Sequence, residues 1–277
     1  MIVVKTVKEI NTLTAHFQRY SVGFVPTMGA LHEGHLSLIR KCQKDNQKTV
    51  VSIFVNPTQF NDPADYKNYP REIEKDIKHL RANSVDCLFL PSAEEIYPER
   101  DKNTYDLGDL QYRLEGEFRP GHFNGVASVV KRLFEIVRPA KAYFGLKDFQ
   151  QFQVIRKLNQ NYNLGVEIIG CETLREDDGL AMSSRNKRLT ASQRNLATNL
   201  SKALKLVAEY GGSKTPEKLE EIGKKYLSKY PEIDLEYFKV LNPDNLLETP
   251  ERNTSEERIA LLAAKIGGVR LIDNMVV

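Results

Sequence analysis

The chain has 277 residues, 41% of them hydrophobic and 28% charged, with a formal net charge of +3. That length suits one large domain or two modest ones, and so small a charge excess gives no footing for a nucleic-acid or membrane-surface partner. Apolar runs such as Ile259–Ala264 fall far short of the ~20 residues that span a bilayer, and the N-terminus has no secretory signal pattern. Three widely spaced cysteines, Cys42, Cys87 and Cys171, exclude a disulfide framework and a CxxC metal site, so the expected compartment is a reducing cytoplasm.

Thr6-x-x-Glu9 is a capping box, and the helix it opens places Val7, Ile10, Leu13 and Phe17 on one side. Val22–Val25 reads as a buried strand, Leu36, Ile39 and Cys42 recur at helical spacing, and Val50–Val55 is a second apolar strand. A helix is expected from Pro70, with Ile73, Ile77 and Leu80 on one face, followed by a strand at Cys87–Leu90. Val126, Val129, Val130, Leu133, Phe134 and Val137 form a helical stripe that stops before Pro139. Ala142–Phe144 is a strand, Asp148 to Tyr162 a helix, and Val166–Ile169 a strand. Strands alternating with helices of this length need crossover connections, which gives an α/β fold: a Rossmann-like parallel sheet with helices on both faces.

After Thr173 the pattern changes. Thr190-x-x-Gln193 opens a helix that runs to Gly211–Gly212, a cap and linker signal, and a second helix follows Pro216. Leu235–Leu241 and Ile259–Ile272 look like strands of a smaller C-terminal α+β unit, so the expected domains are 1–175 and 176–277.

In such folds ligands bind where strands end and helices begin. The segment Val25-Pro26-Thr27-Met28-Gly29-Ala30-Leu31-His32-Glu33-Gly34-His35 follows a strand and leads into a helix. A helix start favours an anion, and two imidazoles there can donate to phosphate oxygens as charge develops. As a metal pair the histidines are misplaced, because a zincin helix needs H-E-x-x-H and the order here is H-E-G-H. Gly179-Leu180-Ala181-Met182-Ser183-Ser184-Arg185-Asn186 joins two hydroxyls and a guanidinium in a polar loop suited to a triphosphate; its plain alternative is an N-cap loop. Phe54-Val55-Asn56-Pro57-Thr58-Gln59-Phe60 offers the amides of Asn56 and Gln59, although Asn-Pro also favours a simple turn. Glu115-Gly116-x-x-Arg119-Pro120-Gly121-His122-Phe123-x-Gly125-Val126 is a glycine-rich loop opening a helix. In Phe144-Gly145-Leu146-Lys147-Asp148-Phe149-Gln150-Gln151, Lys147 can neutralise a phosphate, and Asp148 can bind ribose or cap the helix. No GxGxxG or GxxxxGK[ST] is present, so dinucleotide-oxidoreductase and P-loop readings lose support.

HxGH early in the chain and Met-Ser-Ser-Arg late in it resemble the HIGH and KMSKS signatures of the nucleotidyltransferase superfamily. With FVNPTQF, YPRE, RPGHFNGV, FGLKDFQQ and the closing Arg270–Asn274, the chain resembles the pantoate–β-alanine ligase (pantothenate synthetase) family over nearly its whole length. The resemblance implies ATP-dependent condensation of (R)-pantoate with β-alanine through pantoyl adenylate, releasing AMP and pyrophosphate, in pantothenate and coenzyme A biosynthesis. It implies His35, His32, Lys147 and Arg185 as the catalytic set, with His35 at the family's proton-donor position. By the same resemblance Met28, Gly29, Ala30, Leu31, His32, Glu33, Gly34 and His35 line the ATP site, with Gly145, Leu146, Lys147, Asp148 and Leu174. Met182, Ser183, Ser184 and Arg185 close over the nucleotide from a lid-like second domain, and Gln59, Gln151 and Asn56 hold pantoate or β-alanine. Mg²⁺ is expected on the ATP phosphates with no protein ligand assigned, in a cytoplasmic homodimer with no nucleic-acid or membrane partner. Two positions depart from the family: Leu146 stands where Glu is frequent, and Glu172-Thr173-Leu174-Arg175-Glu176 replaces the common P-T-V-R-E. A nucleotidyltransferase that keeps the nucleotide on its product would share HxGH but would not need FVNPTQF and RPGHFNGV. A nucleotide sensor without turnover would not need His35, Lys147 and Arg185 intact.

Overall fold

A computed structural model describes residues 1–99, 103–248 and 257–277. The chain separates into two compact units, one of Met1–Leu146 with Gln150–Glu172, the other of Thr173–Val277 with Lys147–Phe149.

The first unit runs β1 (Ile2–Val4), α1 (Val7–His16), β2 (Val22–Thr27), α2 (Glu33–Asp45), β3 (Lys48–Ile53), α3 (Pro63–Lys67), α4 (Ile73–Ala82), β4 (Cys87–Phe89), α5 (Ala93–Ile96), α6 (Glu115–Phe118), α7 (His122–Val137), β5 (Lys141–Gly145), α8 (Phe149–Asn161) and β6 (Glu167–Cys171). Phe149 opens α8 while grouping with the second unit. The six strands form one parallel sheet in the order β1-β4-β3-β2-β5-β6, the architecture expected. Alternation along each strand feeds two cores. Phe24 and Val50 join α1, α7 and α8 residues such as Ile10, Phe134 and Val154. Val25 and Val51 join α2 and α4 residues such as Ile39 and Leu80. The Thr6–Glu9 capping box is formed as expected, with Glu9 N–H donating to Thr6 Oγ1 at 3.2 Å.

Two features of this sheet position the site. First, the chain passes from β2 to one side and returns to β5 on the other, so the strand order reverses between β2 and β5. Second, β2 pairs with β3 as far as Thr27↔Ile53 but with β5 only at Gly23↔Lys141 and Phe24↔Ala142. The Val22 carbonyl faces β5, accepting from Ala140, and the Thr27 carbonyl faces β3, accepting from Phe54. By the two-residue alternation Pro26 faces β5 and brings no N–H to that side. The ladder stops short there, and the carboxyl ends of β2 and β5 diverge.

The second unit contains α9 (Ala191–Ala208), α10 (Pro216–Leu227) and an antiparallel sheet β7 (Asp234–Leu241), β8 (Ile259–Ile266) and β9 (Val269–Val276) in the order β7-β8-β9. Leu200, Leu204, Leu219, Phe238, Leu262 and Ile266 build its core.

Three local expectations are corrected. The helix expected from Pro70 begins at Ile73, because Arg71 turns back and donates to the carbonyls of Tyr66, Lys67 and Tyr69, closing α3 first. The run Ile259–Ile272 is two strands, since Gly267 and Gly268 take φ of +56° and +78° and make a tight hairpin. The helix expected to run to Gly211–Gly212 ends at Ala208, and the two glycines open a 3-10 turn in the link to α10; a Cβ on Gly211 would lie 2.5 Å from the Val277 carbonyl carbon.

Candidate active site

The loop after β2 is shaped by conformations that side chains resist and by a carboxylate that compensates them. Gly29 and Ala30 take φ of +79° and +52°. Asp76 of α4 is fully buried and accepts the Ala30 and Leu31 N–H groups, each at 2.8 Å. Thr27 Oγ1 accepts the Gly29 N–H at 3.2 Å. His32 then takes the extended conformation of a helix cap, and α2 begins at Glu33, which pairs with Arg40 on the surface. The amides of Ala30 and Leu31 are committed to Asp76, which leaves the imidazoles and the first turn of α2 as the groups this loop could offer an anion.

His32 and His35 lie together, ring centroids 4.1 Å apart. The His32 backbone N–H points at His35 Nδ1, 3.4 Å away. A ring nitrogen that accepts cannot carry the hydrogen of neutral imidazole, so neutral His35 holds it on Nε2.

The segment after β3 folds into a 3-10 turn, Pro57–Gln59, seated on the first turns of α7. Gly125 makes this possible, since a Cβ there would come within 2.6 Å of the Thr58 carbonyl carbon. The His122 Nδ1–H donates to the Gln59 carbonyl at 2.7 Å, and Arg119 reaches the same oxygen at 3.3 Å. The RPGHFNGV motif therefore holds the turn that carries Gln59. The Gln59 Nε2 approaches Met28 Sδ at 3.1 Å, bringing the loops after β2 and β3 together.

Asn56 is bonded within the protein at both ends of its amide. Its Nδ2 donates to Gln59 Oε1 (3.2 Å) and the Gly125 carbonyl (3.0 Å). Its Oδ1 accepts from Thr58 Oγ1 (3.0 Å) and Tyr97 OH (3.1 Å). An amide has little capacity beyond that. In the structure the Asn56 amide orients Gln59. The neighbours Gln150 and Gln151 divide similarly. Gln150 is buried, donates to the Leu110 and Arg113 carbonyls at 2.7 Å each and accepts from Glu115 at 3.0 Å. Gln151 is half-buried, and among the described residues its amide has no hydrogen-bond partner. Asp76 and Tyr97 escape motif reading, and His122 stands inside a motif whose partner, the Gln59 carbonyl, only the fold reveals.

Of the remaining expected residues, Gly145 and Leu146 belong to the first unit, while Lys147, Asp148, Leu174 and Met182–Arg185 belong to the second. Lys147 and Asp148 end a 3-10 turn begun by Leu146, directly after Gly145 of β5. The Lys147 ammonium makes no ion pair among the described residues. Arg175 and Ala181 form an antiparallel bridge closed by Gly179 at φ +90°. Arg194 braces this turn through Asp178 at 2.7 Å, holding the Asp178 carboxyl below its ordinary range. Ser183 Oγ accepts the Arg185 N–H and caps the 3-10 turn Ser184–Arg188, the N-cap arrangement the sequence also allows. Leu174 exposes its side chain, and its carbonyl accepts from Met182 at 3.0 Å. Among the described residues no group of three or more His, Cys, Asp or Glu side chains could hold a metal ion.

A parallel sheet with a histidine pair at a helix start, at the point where its strand order reverses, is the arrangement of a nucleotide-handling α/β protein. The chain belongs to the pantoate-beta-alanine ligase family, whose profile matches residues 2–276. The pantothenate synthetase of Cytophaga hutchinsonii is 44% identical over 281 aligned residues, spanning 100% of this chain and 99% of the relative. That of Pseudothermotoga lettingae is 44% identical over 280, with 100% and 99% covered. The crystal structure of pantothenate synthetase from Thermus thermophilus superposes with a TM-score of 0.93 at 41% identity over 99% of both chains. The pantoate-beta-alanine ligase of Francisella tularensis, complexed with beta-gamma ATP and beta-alanine, gives 0.83 at 36% identity, covering 100% of this chain and 97% of that one.

Proposed function

We propose that this chain condenses (R)-pantoate with β-alanine at the expense of ATP. A pantoate carboxylate oxygen attacks the α-phosphorus, the bond to the β-phosphate breaks, and pyrophosphate leaves with pantoyl adenylate formed. The β-alanine amine then attacks the acyl carbon and AMP departs, leaving pantothenate. The observation that carries this reading is the family match along the whole chain, with a relative complexed with beta-gamma ATP and beta-alanine.

The residues suit the reaction. Adenylation needs charge stabilised on phosphate oxygens more than it needs a protein nucleophile. His35, with its hydrogen on Nε2, and His32 donate to the phosphates at the start of α2. Lys147 and Arg185 supply cationic donors, and Gly145 to Asp148 and Met182 to Arg185 are assigned to the nucleotide. Gln59, held by Asn56 and His122, and Gln151 bind pantoate through amides. An amide leaves the carboxylate less tightly paired than an arginine would, and so more nucleophilic. The donors offered by these loops are mainly imidazole, ammonium, hydroxyl and amide, which fit a Mg²⁺ carried by the ATP phosphates rather than by the protein; bound there, it would neutralise triphosphate charge. Three free, buried cysteines agree with a cytoplasmic setting, and the family resemblance adds a homodimer.

The test is ATP–pyrophosphate exchange with labelled pyrophosphate and Mg²⁺, with and without pantoate, leaving β-alanine out. Pantoate-dependent exchange is expected. Exchange indifferent to pantoate, in protein that binds ATP, would refute the two-step ligase and favour a transferase acting on another acceptor.

A further inference from the structure

The closing motif Arg270–Asn274 has no part in the chemistry above, yet two of its side chains hold segments that do. Asp273 and Asn274 sit on β9, an edge strand, opposite Leu262 and Leu261 of β8. Both are buried, 3% and 8% exposed. The Asp273 carboxylate accepts from both terminal nitrogens of Arg175, at 2.7 and 3.0 Å, and from the Asn274 N–H at 2.8 Å. Arg175 also donates to the carbonyls of Asn274 (3.0 Å) and Gly179 (3.1 Å). The turn that presents Met182–Arg185 is thus anchored to β9 at its base. One residue on, Asn274 Nδ2 donates to the Lys147 carbonyl at 2.9 Å. Lys147–Phe149 accordingly group with the second unit, although Gly145 before them and Gln150 after them belong to the first.

We propose that Asp273 and Asn274 are positioning residues that present Lys147 and the Met182–Arg185 loop to the nucleotide as one rigid piece. The proposal rests on the reading that Lys147 meets the triphosphate. A lysine ammonium rides on a flexible four-carbon stem, so its reach is set by where its backbone is held. The Asn274 amide fixes that backbone, and the same two residues fix the arginine that shapes the loop. Neither touches the reacting atoms; each acts through another residue. A buried aspartate bonded to two nitrogens of one arginine, plus a neighbouring amide, is stiff enough to keep both segments in register.

The test compares the full chain with Asn274→Ala, Lys147→Ala and the double variant. It reads kcat and KM for ATP in pantoate-dependent exchange, with thermal melting as the measure of folding. Lys147→Ala is expected to lower kcat/KM for ATP strongly. Asn274→Ala is expected to lower it by about ten- to a hundredfold, the scale of a ~1 Å misplacement. The double variant is expected to fall no further than Lys147→Ala, because Asn274 works through Lys147. Parent-level kcat/KM in Asn274→Ala, or losses that multiply in the double variant, would overturn the proposal. If Lys147→Ala keeps parent activity, the reading of Lys147 fails and takes the proposal with it, a distinguishable result. Should Asn274→Ala not fold, Asn274→Ser carries the same comparison.

Discussion

The histidine loop depends on one buried carboxylate, and its loss has a calculable cost. Asp76 is inaccessible to solvent and accepts two backbone N–H groups at 2.8 Å each, one from Ala30, whose φ is +52°. A hydrogen bond to a charged group contributes about 1.5–3 kcal/mol, and a stranded buried donor costs a similar amount. Asp76→Ala removes both bonds and is expected to destabilise by about 3–5 kcal/mol, a large share of the ~5–15 kcal/mol that holds a folded protein. Asp76→Asn keeps one acceptor oxygen and turns an NH₂ toward the other amide, at a cost of about 2 kcal/mol. The chain has no tryptophan, so urea unfolding is followed by far-UV circular dichroism. Exchange measured on folded Asp76→Asn is expected to drop at least about tenfold, because a relaxed loop moves the start of α2 and His35 with it. If Asp76→Asn unfolds within ~0.5 kcal/mol of the parent and exchanges at the parent rate, the loop does not need the carboxylate and the reasoning is refuted.

Gly125→Ala should be harmful despite its helical setting. The added Cβ overlaps the Thr58 carbonyl, and overpacking of this kind costs about 1–3 kcal/mol against a gain of up to ~1 kcal/mol in helix propensity; unchanged KM for pantoate would show that the turn carrying Gln59 is not held there. Gln150→Ala strips three hydrogen bonds from the 110–115 segment and should lower stability, whereas Gln151→Ala should raise KM for pantoate with stability nearly unchanged; the reverse pattern in melting and kinetics would exchange their roles. Burial pushes the thiols of Cys42 and Cys87 up to about 12 and that of Cys171 to about 11, from 9.0. A raised thiol contributes stability that is whole below the unfolded value and fades as pH climbs toward the folded one, so each thiol should cost about 1.4 kcal/mol by pH 10. Urea titrations at pH 8 and 10 on the parent and a triple Cys→Ala variant check this; equal pH dependence in the two would rule the thiols out.

What could be read from the sequence follows from how far apart the interacting residues lie. β2, β3 and β5 are legible because a strand covered on both faces reads as a solid apolar run. β1 is not, since the three residues Ile2–Val4 carry too little pattern. The histidine loop declares itself because its donors are contiguous in the chain. Asp76 does not: it stands in the first turn of α4 beside Glu74, where an acid reads as a solvated charge favouring the helix dipole. Its true partners, Ala30 and Leu31, are more than forty positions earlier. The bonding of Asn56 is hidden for the complementary reason. Its amide looks available because Gly125 and Tyr97, which occupy it, come from other parts of the chain. Contiguous donors therefore reveal a site, while the groups that aim those donors are non-local and emerge only with the fold. Gln150 and Gln151 make the point at single-residue scale: successive helix positions point about 100° apart, and which of the two faces the 110–115 segment is decided by packing rather than by residue type.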